Sequence, residues 1–318
     1  MLLTAGPPQT GRQWINEIKL DGARALARVA DGQVTLQSRP GNSFTARFPE
    51  VTAALAARLE GHTAIFDGEL VALDADGMPH FGLLQRRLAT HTPTALHQRT
   101  VPGRLWLFDC LHLDGHDLTG LPYRTRRAIL EDLLPGQGGT VAVAPAWSDI
   151  DGPALAEIAA ELGVEGTCSK KADSVYHPGR RTKSWIKSPL RHRQTLWLAG
   201  YFPGRAAPVG ALLLAGHDPD SGVLRYAGAV SAGLGSRISR GLYDALLPHR
   251  AATAPWYTRP AADREASPVV WLRPGCTAEV EFREFTAAGR FRHVAFKRLV
   301  AADDVTGRWV PLPPRRRP

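Results

Sequence analysis

The 318-residue chain has little lysine, six residues against 33 arginines. Where arginine supplies routine surface charge, a retained lysine marks a place that needs a primary amine or a compact point charge. The six are Lys19, Lys170, Lys171, Lys183, Lys187 and Lys297, and four of them crowd into residues 170–187. Cysteine is scarcer still. Cys110, Cys168 and Cys276 are odd in number, far apart and in no CxxC pair, which argues against a disulfide framework and a structural zinc site. No apolar run approaches the roughly 20 residues that span a bilayer. The opening MLLTAGPPQT also lacks a basic segment followed by a long apolar one. The sequence therefore reads as soluble and cytoplasmic, with no membrane partner and a monomer by default. With 44% apolar and 22% charged residues, disorder, collagen and coiled coil are excluded, and the length suits two modest domains.

Charge is unevenly placed. Residues 1–190 carry 20 Lys+Arg against 20 Asp+Glu, whereas residues 191–318 carry 19 against 10, so the whole formal +9 resides in the last two-fifths. A neutral part followed by a basic one points to a polyanionic partner, nucleic acid foremost.

Hydropathy patterning divides the chain near Leu190 as well. Before it, EIKLDGARALARV (17–29) and QVTLQS (33–38) alternate as two strands about Asp31-Gly32. Pro49–Glu60 sets Val51, Leu55 and Leu59 on one helical face. AIFDGELVALDADGMPHF repeats the hairpin logic about Asp76-Gly77, and RLWLFDCLHLDG is a continuous apolar strand. FGLLQRRLAT, TRRAILEDLL and PALAEIAAELG read as helices, VEGTCSKK and SWIKSP as strands. After Pro189 come five short strands with one helix, SRISRGLYDALL, between the third and fourth, the element order of a small oligonucleotide-binding barrel. Pro248–Pro274 is Pro-rich and reads as loop, and PLPPRRRP as a disordered basic arm. The expected fold is α+β: an N-terminal domain (1–190) of mainly antiparallel sheets with flanking helices, an OB-fold barrel (191–305), and a basic Pro/Arg tail (306–318).

The chemistry concentrates first in Glu17-Ile18-Lys19-Leu20-Asp21-Gly22-Ala23-Arg24. In a strand, residues 17, 19 and 21 point the same way, so a carboxylate flanks the lysine on each side and Gly22 permits a tight turn behind them. A lysine is a nucleophile only when deprotonated, and moving its pKa from ~10.4 to ~8 takes roughly 3 kcal/mol of disfavour for the ammonium. Two carboxylates push the other way. Burial, a metal or neighbouring cations must outweigh them. The alternative for the same residues is a plain Glu-Lys-Asp charge ladder on an exposed strand. His62, His80, His91, His97, His112 and His116 show no ligand spacing, and Trp147, Trp197 and Trp256 read as packing.

The octapeptide has the form ExKxDGxR and resembles the nucleotidyl-lysine motif of the covalent nucleotidyltransferases, which include ATP-dependent DNA ligases, RNA ligases and mRNA capping enzymes. Further motifs follow in the family's order: Ser38-Arg39-Pro40-Gly41, Phe66-Asp67-Gly68-Glu69, Phe108-Asp109, Glu165-Gly166 with Lys170, and Trp185-Ile186-Lys187. The likeness runs from about Trp14 to about Leu299. It is nearest the small bacterial ATP-dependent DNA ligases of the end-joining type, which share YHPGRR, SPLRHR and EVEF, and it implies an ATP-grasp-like nucleotidyltransferase domain before the barrel.

That resemblance implies a set of roles. Lys19 attacks the α-phosphate of ATP to give lysyl-AMP. Lys187 and Lys170 neutralise charge on that phosphate, and Arg24 and Arg39 hold ribose, nucleotide phosphate or the nick's 5′-phosphate. Glu17 with its adjoining backbone reads the adenine edge, and Phe108 stacks on the base. Glu165 and Glu69 bind Mg²⁺ or Mn²⁺, Glu69 alternatively the ribose. Arg180, Arg181 and Lys183 form either a phosphate clamp or a solvated loop. Nicked double-stranded DNA is the implied substrate, with possible end-joining proteins acting in trans. Two departures stand out. Pro189 occupies the second place of a Lys-x-Lys motif, with Arg191 a possible substitute. The basic residues of the family's last motif are missing at Val300-Ala301-Ala302-Asp303, where Lys297, Arg298 or Arg308 would have to stand in. Three readings remain open: an ATP-dependent DNA ligase, an RNA ligase or other member of the superfamily, and a degenerate nick-binding protein impaired in self-adenylylation.

Overall fold

Alternation through residues 17–29 suggests one long strand, but the backbone breaks at Leu20-Asp21-Gly22. A Cβ on Gly22 would lie 2.5 Å from the Leu70 carbonyl oxygen and 2.8 Å from Glu69 Cγ, so only glycine lets the chain pass there. The segment becomes two strands belonging to different sheets, and the expected row of Glu17, Lys19 and Asp21 on one strand is not made. The computed structural model describes residues 1–75, 77–136, 138–252, 268–285, 289–300 and 310–313.

The chain divides into one unit of Met1–Leu190 and a second from Arg191 onward. The first begins with β1 (Leu2–Ala5), β2 (Trp14–Lys19), β3 (Ala23–Ala30), β4 (Gln33–Ser38), α1 (Pro49–Arg58) and β5 (Ala64–Ala72). It continues with α2 (Phe81–Ala89), α3 (Ala95–Thr100), β6 (Gly103–Leu113), β7 (His116–Asp117), α4 (Tyr123–Leu133), β8 (Val141–Val143) and β9 (Ala146–Trp147). It closes with α5 (Gly152–Glu161), β10 (Gly166–Lys171) and β11 (Arg181–Pro189). One sheet has the order β1-β11-β10-β2-β9; the other runs β4-β3-β5-β6-β7, with β8 parallel to β6. Helix α1 opens with Pro49, whose fixed φ suits a first turn, and buries Val51 and Leu55 with Phe48, Phe66, Leu70, Leu105 and Leu107. The β5–β6 ladder slips between Ile65 and Phe66 and again between Asp67 and Gly68. Irregularities of this kind re-aim side chains, and these two bracket Asp67 and precede Glu69. A separate aromatic core of Tyr123, Tyr176 and Trp185 forms with Leu111 and Met1, all buried.

The second unit contains β12 (His192–Phe202), β13 (Ala211–His217), β14 (Leu224–Val230), α6 (Ser236–Leu246), β15 (Arg250–Ala251) and β16 (Val270–Leu272). It ends with β17 (Thr277–Phe282), β18 (Glu284–Phe285), β19 (Phe291–Arg292) and β20 (Ala295–Val300). The five long strands pair as β14-β13-β12-β17-β20, and a parallel bridge from Ala232 to Ala295 joins the chain after β14 to the start of β20. This is the pairing of an oligonucleotide-binding barrel, with α6 between its third and fourth strands. Two expectations need correction. Pro248–Pro274 is not all loop, since β16 pairs with Arg250–Ala251 and with Gly200–Tyr201. Nor is the segment from 306 a free arm throughout: Val310 and Leu312 are buried in the barrel core, and Leu312 N–H donates to the His217 carbonyl at 2.6 Å. Apolar side chains inside a Pro-rich stretch found a cavity to fill. Residues 301–309, with the missing basic motif and Arg308, lie outside the described residues, as do Asp76, Trp256 and the terminal arginines.

Substituting Gly22→Ala should cost about 1–3 kcal/mol, the usual penalty of overpacking, read as a lower urea midpoint. Gly120→Ala, where a Cβ would meet nothing within 4 Å, should shift it by no more than about 0.5 kcal/mol.

Candidate active site

Register places the lysines. In the antiparallel ladders Lys19 pairs with Gly166 and that with Pro189; Glu17 pairs with Cys168 and that with Lys187; Ile15 pairs with Lys170 and that with Trp185. Residues opposite one another share a face. Glu17, Lys19, Cys168, Lys170, Trp185 and Lys187 therefore project from one side of β2, β10 and β11. A pocket opens there, lined from this sheet by Glu17, Lys19, Cys168, Lys170 and Trp185 and from the other by Arg24, Glu69 and Phe108.

Lys19 ends β2, and its ammonium pairs with the Glu165 carboxylate; both side chains are about one-fifth exposed. Glu165 reaches it because Gly166, its neighbour, is the ladder partner of Lys19. Gly166 has φ +147°, and a Cβ there would lie 2.4 Å from the Ser188 carbonyl oxygen. Burial works to lower the Lys19 pKa, but charge and hydrogen bonding from Glu165 overrule it and hold the amine above its ordinary value. Glu69, opposite Arg24 in the β3–β5 ladder, goes the other way: burial pushes its carboxyl up to about 8 against the pull of Lys19 and Arg24. Arg24 turns to Asp67, Nε to Oδ1 at 2.9 Å and Nη2 to Oδ2 at 2.5 Å, a bidentate pair completed by the Tyr176 hydroxyl donating to Asp67 at 2.8 Å.

Lys170 goes elsewhere than the other lysines. Its ammonium is buried at 2.7 Å from Glu17 Oε2 and 3.3 Å from the Tyr123 hydroxyl, and it lies 4.0 Å from the Phe108 ring centroid and 4.5 Å from that of Trp185. An ammonium among aromatic faces is stabilised by their quadrupoles. The structure thus groups Lys170 with Glu17 and Phe108, and Lys19 with Glu165 and Glu69. The Glu17 carboxylate spends one oxygen on Lys170 and the other on Tyr123. Lys187 shares the pocket face by register. Arg39 lies in an exposed turn, closed by Gly41 N–H donating to the Ser38 carbonyl at 2.9 Å, and does not line the pocket. In the barrel unit, Lys297 Nζ is 3.1 Å from Glu281 and Arg298 Nη2 is 3.1 Å from Glu279; Arg191 also pairs with Glu281.

Several residues here escape the sequence reading. Tyr123, Arg126, Arg127 and Leu130 form the buried face of α4. Arg126, wholly buried, meets Asp109 through two 2.8 Å bonds and so braces the residue after Phe108. The signal was the spacing 123, 126, 127, 130, an inward stripe holding a tyrosine and two arginines where apolar residues are usual.

An amine facing two glutamates, beside an aromatic slot, has the chemical parts for nucleophilic catalysis through a lysine. Comparison with known proteins resolves the class further. Residues 8–188 match the family model "ATP dependent DNA ligase domain", and residues 205–301 match "ATP dependent DNA ligase C terminal region". The chain belongs to the ATP-dependent DNA ligase family. It is 35% identical over 304 residues to the "Multifunctional non-homologous end joining protein LigD" of Mycolicibacterium smegmatis, covering 94% of this chain and 38% of that protein. It is 32% identical over 292 residues to a DNA ligase of Pyrobaculum calidifontis, 86% of this chain and 48% of that one. A solved mycobacterial DNA ligase D complexed with ATP and MES is 33% identical, with 96% of each chain covered and a TM-score of 0.56. The chain spans less than half the length of those two curated relatives.

A carboxyl whose pKa is raised by folding stabilises the fold fully only below its ordinary range, and that contribution is lost as pH rises through about 8. Glu69→Gln removes the titration. Between pH 6 and pH 9 the unmodified protein should lose about 1–2 kcal/mol of unfolding free energy relative to the variant, a figure reduced for Glu69's partial exposure. Urea unfolding in metal-free buffer at the two pH values measures the difference.

Proposed function

We propose that this chain seals 5′-phosphate/3′-hydroxyl nicks in duplex DNA through an enzyme lysyl-AMP and a DNA-adenylate. The observation that carries the reading is Lys19, an amine in the pocket facing Glu165 and Glu69, where burial works to lower its pKa against the pull of Glu165. Lys19 Nζ bonds to the α-phosphorus of ATP as the bond to pyrophosphate breaks. The adenylate then passes to the 5′-phosphate of the nick, returning the amine, and the 3′-hydroxyl displaces AMP to make the phosphodiester.

The remaining roles follow position. Phe108, Trp185, Glu17 and Lys170 form the end of the pocket suited to a flat base, and the peptide beside Glu17 meets its edge because that carboxylate is already engaged. Lys187, on the same face one strand beyond Cys168, suits the α-phosphate, and Arg24 suits ribose or phosphate. Arg39, exposed in its turn, suits the DNA strand. Among the described residues no cluster of three or more His, Cys, Asp or Glu could hold a metal. Two carboxylates with phosphate oxygens are nonetheless an adequate Mg²⁺ or Mn²⁺ donor set, and Glu69 and Glu165 supply them. Such a cation would neutralise charge on the phosphates. A barrel unit holding the chain's excess arginine supports sequence-independent binding to duplex DNA. Similarity to LigD supports service in bacterial end joining beside other proteins, and no helix among the described residues is long and apolar enough to cross a membrane.

With Mg²⁺ and α-labelled ATP the protein should gain one AMP in intact mass and close a nicked DNA duplex in preference to the same nick in RNA. Lys19→Ala should remove both activities, a loss of at least about 10³-fold, as for other covalent nucleophiles. Nick binding without any adduct on the unmodified protein would instead select the degenerate binder.

A further inference from the structure

Tyr123 lies wholly buried behind the pocket and is not one of its lining residues. Its hydroxyl nevertheless touches three that are. It donates to the Glu17 carboxylate, lies 3.1 Å from the Phe108 carbonyl oxygen and accepts from Lys170 Nζ at 3.3 Å. Glu17, Phe108 and Lys170 stand on β2, β6 and β10, hence on both sheets, while Tyr123 stands on α4. One hydroxyl thus spans the seam between the two walls of the slot. Its ring packs edge-on against Trp185, with centroids 5.9 Å apart, and one helical turn on Arg126 anchors α4 to Asp109 through both carboxylate oxygens. Burial, with Glu17 beside it, pushes the phenol well above its ordinary range, so it remains a donor at physiological pH.

We infer that Tyr123 is a positioning residue for the nucleobase, fixing the Lys170 ammonium and the Glu17 carboxylate so that the slot prefers adenine to guanine. This rests on the adenylating function proposed above. Lysine carries donors and no acceptor. Two of the ammonium's three N–H groups are taken by Glu17 and Tyr123, and the third, held beside the Phe108 and Trp185 rings, has its direction set by those two bonds. A donor held in place meets the ring acceptor N1 of adenine but opposes the N1–H of guanine. Without the hydroxyl, Lys170 keeps only Glu17 and can swing, and the carboxylate is left with an unpaired buried oxygen.

Equilibrium binding in EDTA, where no adduct forms, reads this directly. ATP and GTP are titrated by calorimetry into the protein and into Tyr123→Phe, with thermal unfolding as a check on the fold. The expected result is about a tenfold loss of ATP affinity, about 1.4 kcal/mol, with GTP affinity unchanged or improved so that the ATP:GTP ratio falls. A variant that loses affinity equally for both nucleotides, or for neither, overturns the positioning role. Tyr176→Phe, whose lost hydroxyl serves Asp67, should leave the ratio intact; an equal fall in it would also overturn the assignment. Failure of the adenylating function has a different signature: the unmodified protein given Mg²⁺ and ATP would gain no AMP in intact mass.

Discussion

The site depends on the contest at Lys19 between burial and Glu165. Desolvation of an ammonium favours the neutral amine, and a carboxylate in contact favours the charged one. In the structure the carboxylate prevails. The amine is therefore held as its ammonium, and whatever engages Glu165 elsewhere leaves burial acting with less opposition. The sequence reading asked how an amine flanked by acids could be freed. The relevant acid proves to be Glu165, brought in from 146 residues away. Glu17 is committed to Lys170 and Tyr123, while Asp21 sits beyond the strand in the turn.

Much of the architecture was legible because alternation and helical spacing report burial. The long apolar strand, the five main helices and the barrel's element order all emerge from patterns of period 2 or 3.6. The break at Leu20–Gly22 did not, because alternation is a local property and a change of sheet is set by the approach of the Leu70 carbonyl. Val310 and Leu312 were similarly hidden. Among prolines they read as part of a basic tail, yet they fill space beside Gly216, where a Cβ would stand 2.7 Å from Leu312 Cδ2. Composition registers the prolines and not the cavity.

The residues of the pocket divide along the same physical line. The charged side chains that line it stand in the quoted motifs, where a residue type recurs at a set position. Those that hold them do not all stand there: Asp67 and Asp109 lie inside quoted motifs, but their partners Tyr176 and Arg126 are remote in sequence. A buried guanidinium is costly unless every donor is met. Arg126 makes four hydrogen bonds, two to the oxygens of Asp109 and two to the carbonyls of Leu121 and Ser174. Such an arrangement fixes geometry because any displacement exposes charge to an apolar interior.

That rigidity explains why the pocket's two ends can be tuned independently. At one end Glu69 and Glu165 share Lys19, part-exposed and responsive to whatever approaches. At the other, Glu17, Lys170 and Tyr123 are buried with their mutual bonds already made. A charge pair in water-accessible space can exchange partners at small cost, whereas one sealed among aromatic rings must lose its bonds before gaining others. A sealed end suits a rigid ligand, and an open one suits groups that must exchange partners. The break at Gly22 supplies the division, sending Lys19 and Arg24 into different sheets only five residues apart.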